Sequence, residues 1–599
     1  MCGIAGFVSK DEFSNNVIEQ MTDVMEHRGP DAVGHYNLKH LSLGHSRLAI
    51  VDLSSSGHQP MEYMDRYVIT FNGEIYNYIE IKDALKQLGY VFKNETDTEV
   101  ILAAYDKWGE KCLDKFNGMW AFAIYNKLEE TLFISRDRFG IKPLYFYQDE
   151  RNFVFGSEIK ALLQHPALEA SLNEKYITDY LEMGPKEYAK ETAFEKIYRY
   201  PFATYTISKR ENLFRPLNFK KYWSVAPNLA NEKFSQKSAE IYAQKYYDLL
   251  YDAVKIRLRA DVRVGSALSG GLDSSSIVFL VNQKLSELGK SDRQETFSNV
   301  YTKAGTQDCD ESSFISAVAK FLKVNSNTIE PNQKDVPLEL PKLIRIMENP
   351  PETTAMSGWY TFKKVKECGV TVTLDGQGAD EQLAGYIRYI PSYLLSLSSL
   401  NFYLEISHFF QIPGCRKKVF ATFILFHARL LLRKRLFDYL LHKFNKDPEK
   451  LDLNFFLYHD FQTSLVNLIH YSDRLSMGHS IESRMPFMDY RLVEFLADLP
   501  ACYKMHKGWT KYIARLAFSG KLPDDICWRK DKMGWPTPEV FWFRGKLKKW
   551  FLHEICLSNF LSTEEKKLTE VSLNGNKPLT PLIRRLNVAL FEKEFFNKR

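Results

Sequence analysis

The sequence predicts two domains of different class: an α+β layered sandwich, then an α/β domain on a parallel sheet with added helices. A chain of 599 residues is too long for a single core. Up to about residue 160 it reads as short β-rich segments interrupted by two helices. From about residue 236, short apolar strands are each followed by a long helical segment, the pattern of a parallel sheet.

In the first part, strands are expected at 4–8, 41–51, 67–72, 121–125, 131–136 and 145–147, apolar or alternating runs bounded by Gly, Asp and Asn. Helices are expected near 16–27 and 78–88. In the second part, 262–268 leads into a helix over 274–288, 296–301 into 311–322, and 370–374 into a helix from about 380. Residues 390–450 are Leu- and Phe-rich, helical in pattern, with Lys and Arg interspersed. The stretch 196–235 carries Pro201, Pro216 and Pro227 and no long helix, so it reads as a connector. The expected division is 2–208, a connector at 209–235, and 236–599.

Composition narrows the function classes. Hydrophobic content of 45% and charged content of 26% describe an ordinary soluble protein. A net charge of +6 over this length does not argue for a nucleic-acid partner. The eight cysteines are scattered and none has a metal-ligand spacing, so they read as free thiols in a reducing, cytoplasmic setting. The most apolar stretch, 419–432, is interrupted by His427 and Arg429 and flanked by Lys417, Lys418 and Arg433. It is too short and too charged to span a bilayer and reads as a buried or partner-facing helix.

Two motifs carry chemistry. Cys2 follows Met1; once Met1 is removed it bears both a thiol, titrating near ~8.5, and an α-amine near ~7.7–8.0 that can take the thiol proton. Position alone also fits an incidental cysteine. The second motif, Ser269-Gly270-Gly271-Leu272-Asp273-Ser274-Ser275, lies between an apolar strand and a helix. Two glycines let the backbone approach an anion, and the helix start supplies free N–H groups. Asp273 can hold the Mg²⁺ of a polyphosphate. The motif resembles the pyrophosphate loop of the ATP pyrophosphatases, which cleave ATP between the α and β phosphates. Asp375-Gly376-Gln377-Gly378-Ala379-Asp380-Glu381 and Asp310-Glu311 also follow strands, where open α/β sheets bind ligands. Asp310-Glu311 fits a solvated helix start equally well.

With these motifs in place, nearly the whole chain resembles the class B, glutamine-dependent asparagine synthetases. Its first part is also similar to the glutaminase domains of other N-terminal-nucleophile amidotransferases. The resemblance rests on Met1-Cys2-Gly3-Ile4, Arg28-Gly29-Pro30-Asp31, His45-Ser46-Arg47-Leu48-Ala49-Ile50, Phe71-Asn72-Gly73-Glu74-Ile75-Tyr76-Asn77 and Thr96-Asp97-Thr98-Glu99. Arg136-Asp137-Arg138-Phe139-Gly140 and Gly156-Ser157-Glu158 follow. In the second part it rests on the 269–275 loop, the acidic pairs, Asp473-Arg474-Leu475-Ser476-Met477, 481–489, and Arg529-Lys530-Asp531-Lys532-Met533-Gly534-Trp535.

The resemblance implies a four-layer α/β/β/α N-terminal-nucleophile fold, then an adenine nucleotide α-hydrolase-like parallel sheet. It implies that Cys2 attacks the glutamine amide, with Asn72 and the Gly73 N–H as oxyanion donors. Arg47 would take the glutamine carboxylate, Glu74 and Asp97 its ammonium, and Leu48 and Ile50 would complete the pocket. ATP would lie on Leu268, Ser269, Gly270, Gly271, Asp273, Ser274, Asp375 and Gly376, with Mg²⁺ at Asp273, Glu311 and Asp380. Lys532 would act on the phosphates or the developing charge, with Lys530 as the alternative. Substrates would be glutamine, ATP and aspartate, giving asparagine, AMP and pyrophosphate. A homodimer is one expected assembly; the sequence leaves the oligomeric state open.

Two departures bear on the acceptor. Gln377 stands where the family commonly carries Glu, and glutamine cannot act as a base. Tyr200-Pro201-Phe202 replaces the family's common Pro-Pro-Gly. Another carboxylate, such as a uronic-acid sugar or a peptide, is therefore the alternative acceptor, and a non-catalytic homologue is the remaining alternative.

Overall fold

The computed structural model describes residues 2–597 apart from 231, 290–293, 433–435, 437–438, 440–442, 444–446, 448, 531–536 and 576. The first part is built on two antiparallel sheets of six strands each. One runs Ile197–Arg199, Tyr145–Gln148, Asn152–Gly156, Gly3–Ser9, Leu41–Arg47, Ala32–Leu38. The other runs Lys220–Lys221, Thr204–Lys209, Thr131–Arg136, Gly118–Asn126, Tyr67–Ile75, Met61–Tyr63.

Strand alternation makes the layers. Ile4 and Val8 face the second sheet and meet Val68, Ala121 and Ile134 in one buried cluster. Ala5 and Phe7 face the other way, onto Ile18, Met21 and Ile159 of helices Asn16–Asp23 and Ile159–Leu162. On the far side, Phe71, Phe122 and Phe133 pack against Ile101 and Leu102 of helix Asp97–Trp108. The order is helix, sheet, sheet, helix, as the resemblance implies.

The second part holds a parallel sheet of five strands, in the order Asn325–Ile329, Glu295–Asn299, Val264–Ala267, Val372–Leu374, Glu482–Arg484. The chain winds outward from Val264–Ala267 in one direction, then returns and winds outward in the other. The reversal lies between Val264–Ala267 and Val372–Leu374, so the loops after these two strands open a crevice at the carboxyl edge. The 390–450 region is helical where it is described, with helices Ile390–Ser396, Ser399–Phe409 and Arg416–Leu431.

Three features differ from the sequence reading. Helix Asp97–Trp108 was not expected; its first eight residues are buried all round, so no amphipathic period marks it. Glu482–Arg484 is a strand, although its residues are polar, because each charge is paired inside the protein. The proline-bearing stretch 196–235 supplies sheet strands up to Lys221 before it becomes a connector.

Apolar clusters run across both parts. Tyr176 and Ile177 of helix Glu174–Met183 share a core with Leu582 and Leu586 of helix Thr580–Phe595. Leu48, Ile50 and Met119 share another with Leu272 and Leu374. All eight cysteines are free. Among the described residues, no helix is long and apolar enough to cross a membrane.

Candidate active site

Cys2 enters the first sheet at its carboxyl-proximal neighbours: Gly3 pairs with Ser46 and Ala5 with Gly156. Its backbone nitrogen, the α-amine once Met1 is removed, donates to Asn72 Oδ1 at 3.1 Å. Asn72 Nδ2 donates to Ser157 Oγ at 3.4 Å, the limit of a hydrogen bond. The Cys2 carbonyl accepts from Arg28 Nε at 3.1 Å. The cysteine is therefore held from two sides while its residue stays 8% exposed.

That exposure opens into a cleft of about 400 Å³ including its open mouth. Cys2, Arg47, Leu48, Ile50, Gly73, Glu74 and Asp97 all line it, whereas Asn72, also expected for glutamine, is fully buried beside Cys2 and does not line it. Gly73 is required by space: a Cβ there would lie 2.1 Å from the Met119 carbonyl oxygen and 2.8 Å from Trp120 Cα. The Arg47 guanidinium donates to the Ser54 carbonyl at 2.7 Å and to that of Asp52. Asp97 opens its helix behind the N-cap Thr96, whose hydroxyl accepts from Glu99 N. The Glu99 carboxylate accepts from Lys93 and Asn94 N–H, which fixes the preceding turn.

The pocket's electrostatics suit a cation. Burial pushes Asp97 from its ordinary 3.8 up to about 7, Glu482 adding to the rise and the Ile75 N–H opposing it. Burial and then Asp97 hold Glu74 well above the usual carboxylate range. Glu74 Oε1 is buried with no hydrogen-bond partner among the described residues, while Oε2 lies 3.5 Å from Arg484. A buried acceptor left unsatisfied is costly, so the site is built for a donor that is not part of the protein.

The second cavity, about 1720 Å³ including its open mouth, lies in the crevice of the parallel sheet. Leu268, Ser269, Gly271, Asp273, Ser274, Asp375, Gly376, Gln377 and Asp380 line it. Gly270 has φ +74°, and a Cβ there would come 2.7 Å from Phe314 Cβ, so the turn needs glycine. The helix Leu272–Glu287 starts at Gly271 with no side-chain cap, which leaves its first N–H groups to an anion. Ser274 Oγ accepts from Ser269 N at 3.1 Å and closes the loop on itself.

Sequence reasoning missed Lys511. Its ammonium lies 2.5 Å from Asp273 and 2.6 Å from Asp380, bridging the two carboxylates. It sits at φ +54° in a turn with no recognisable motif, so only its charge marked it. Asp273 and Asp380 are the oxygen donors that Mg²⁺ takes beside a phosphate loop, and the ion would displace the Lys511 ammonium that bridges them. Glu311 is not drawn into that pair; it accepts from Arg529 at 2.8 Å, and no group of three potential ligands forms among the described residues. Lys530 lies over the Trp509 ring at 4.6 Å, and Lys532 lies outside the described residues.

Between the two cavities runs a buried ionic seam. Arg28, which holds the Cys2 carbonyl, also donates to Glu158 and to Asp473, both at 3.0 Å. Arg474 pairs with Glu158 at 2.8 Å and Glu348 at 3.0 Å. Arg484 pairs with Glu482 at 2.5 Å, and its carbonyl accepts from Asp375 N at 2.8 Å. Such pairs add little net stability because desolvation offsets attraction, but they tolerate few alternative geometries. The sequence motifs contain Arg28, Glu158, Asp473, Arg474, Glu482 and Arg484, but nothing in them tells which pairs with which, and Arg28 and Asp473 lie 445 positions apart.

Comparison with known proteins agrees with this arrangement. Residues 1–223 match the glutamine amidotransferase domain family and 245–574 the asparagine synthase family. Glutamine-hydrolysing asparagine synthetase 1 of Bacillus subtilis is 30% identical over 92% of this chain and 89% of its own. Asparagine synthetase 3 of the same organism is 31% identical over 88% of this chain and 86% of its own. The amidase chry2 of Gibberella zeae is 26% identical over 92% of this chain and 91% of its own. With both domains present in this order, the chain belongs to the glutamine-hydrolysing asparagine synthetase family.

Proposed function

We propose that the chain transfers the amide nitrogen of glutamine to a carboxylic acid activated by ATP, with aspartate the first acceptor to test and asparagine its product. Cys2 Sγ attacks the glutamine side-chain carbonyl; the tetrahedral oxyanion is received by Asn72 Nδ2, swung from its long contact with Ser157, and by the Gly73 N–H. Collapse releases ammonia and leaves a thioester that water hydrolyses to glutamate. In the second cavity an acceptor carboxylate oxygen attacks the α-phosphorus of ATP, and pyrophosphate leaves onto the 269–274 loop. Mg²⁺ held by Asp273 and Asp380 would neutralise charge on that leaving group. Ammonia then attacks the acyl-adenylate, giving the amide and AMP. The observation that carries this reading is Arg28, which holds the nucleophile's carbonyl and the second part's Asp473 at once. One side chain ties the ammonia source to the synthetase half, and Arg28, Glu158 and Asp473 are all buried from bulk water at that junction.

A second acceptor reading has its own observation. Gln377 lines the synthetase cavity where the family commonly carries Glu, and glutamine cannot act as a base. A uronic-acid sugar or a peptide carboxylate is the alternative acceptor. Release of AMP from ATP and glutamine, measured across aspartate, uronic-acid sugars and short peptides, decides between them. Aspartate-dependent AMP with equimolar asparagine supports the first reading; AMP driven only by another acid overturns it.

The glutamine pocket also sets a pH dependence. Glutamine's ammonium needs Asp97 ionised, so the KM for glutamine should fall as pH rises through about 7. The unfolded carboxyl releases its proton near 3.8 and the folded one near 7, so the empty protein loses stability as pH rises through that window. Glutamine should then raise Tm more at about pH 8 than at about pH 6. A thermal shift that is the same at both values would remove Asp97 from ammonium recognition.

A further inference from the structure

The helical region 390–450 is used by neither cavity, and its surface is unusual. Helix Arg416–Leu431 buries Val419, Thr422 and Phe426 on one side. On the opposite side Phe420, Ile424 and Leu431 recur at i, i+4 and i+11, and Phe420 and Leu431 are 60% and 84% exposed. The neighbouring helix Ser399–Phe409 extends the same surface with Leu400, 71% exposed, and Leu404. Tyr403 Oη lies 2.8 Å from His427 Nε2 and ties the two helices together at this face. A helix with apolar stripes on both sides has one more partner than the described residues provide.

Charge identifies the partner. The exposed charges of this helical pair are all positive: Arg416, Lys417, Lys418 and Arg429. Its one acidic residue, Glu405, is buried against His506 at 2.9 Å. In sequence the segment runs on into Arg433, Lys434 and Arg435. Two copies meeting through this face would bring cation against cation. Exposed aromatic and aliphatic side chains among lysines and arginines match an anionic lipid surface, with the apolar residues entering the acyl boundary and the cations at the headgroups. No described helix is long and apolar enough to cross a membrane, and the attachment proposed is peripheral. We propose that the helical pair 399–432 docks the enzyme on an anionic membrane surface. The turn joining the two helices borders the synthetase half: Ile412 lines a cleft with Gly271 and Lys511 and also the surface depression beside Arg416 and Lys417. Docking there brings the ATP-binding crevice close to the lipid.

The test is flotation of the full-length protein with vesicles of phosphatidylcholine alone and of phosphatidylcholine mixed with phosphatidylglycerol. Binding to the anionic vesicles should exceed binding to the neutral ones by about tenfold at low salt and fall as salt rises. The double variants Phe420→Ser/Leu431→Ser and Lys417→Glu/Lys418→Glu should each lower it by about tenfold, with glutaminase turnover unchanged as proof of folding. No binding, equal binding to both vesicle types, or binding retained by both variants overturns the proposal. So does a dimer that these variants dissociate, which would assign the face to a second copy, or selective capture of an acidic protein in place of lipid.

Discussion

Replacing Cys2 with Ala is expected to abolish glutamine-dependent amide synthesis and leave ammonia-dependent synthesis within about twofold of the parent. Loss of the nucleophile removes the thioester route entirely, so the residual glutaminase rate should fall by ~10³ or more, the scale on which single nucleophiles act. The second half should be untouched, because the cysteine's side chain makes none of the ionic contacts across the seam; only its backbone does. Cys2 N binds Asn72 and Cys2 O binds Arg28, and alanine preserves both. The paired measurement is AMP release with glutamine and with ammonium chloride. If both nitrogen sources fail, the thiol is holding the two halves in register and is not the source of ammonia. Arg28→Met separates these effects from the other side. It keeps Cys2 but removes the cation that Glu158 and Asp473 share, leaving Arg474 on Glu158 and Lys142 on Asp473, so glutamine hydrolysis would lose its coupling to AMP release and spill ammonia into solution.

The parts of the glutamine pocket legible in the sequence were those carried by contiguous motifs on sheet strands. Cys2, Arg47 and Gly73 each lie on or beside a strand whose alternation already faces them inward, so local pattern and tertiary role coincide. Asp97 was legible as a site residue while its helix was not, because Val100–Ala104 is buried on every side and shows no amphipathic period. The synthetase half was legible wherever a glycine turn follows an apolar strand. It was not legible where long-range charge pairing overrides composition. Glu482–Arg484 reads as a polar turn, yet it is the edge strand that carries Arg484 to Glu74 and Ser483 to Asp375. A buried polar strand has no sequence signature of its own; its partners define it, and they lie elsewhere in the chain.

Lys511→Met is expected to stop AMP release with either nitrogen source, by about 10²–10³, while glutaminase turnover persists. The lysine stands between Asp273 and Asp380, which are 238 and 131 positions away, and bridges the two carboxylates at the phosphate crevice. Methionine keeps the length of the stem and removes the charge, so packing and electrostatics are separated in one substitution. Without the ammonium the two acids repel, and the 269–274 loop loses the cation that aligns it before ATP arrives. Free Mg²⁺ then has the position to itself. The variant should therefore show stronger Mg²⁺-dependent thermal stabilisation in the absence of ATP than the parent, a readout that loss of packing alone would not move. Asp273→Asn is the complement. It should also stop AMP release, but it removes one of the two oxygens and so should weaken the Mg²⁺ stabilisation. If Lys511→Met retains AMP release within about tenfold of the parent and shows no altered response to Mg²⁺, the lysine is a structural pair for two buried acids, and charge neutralisation at the leaving pyrophosphate must come from elsewhere in the cleft.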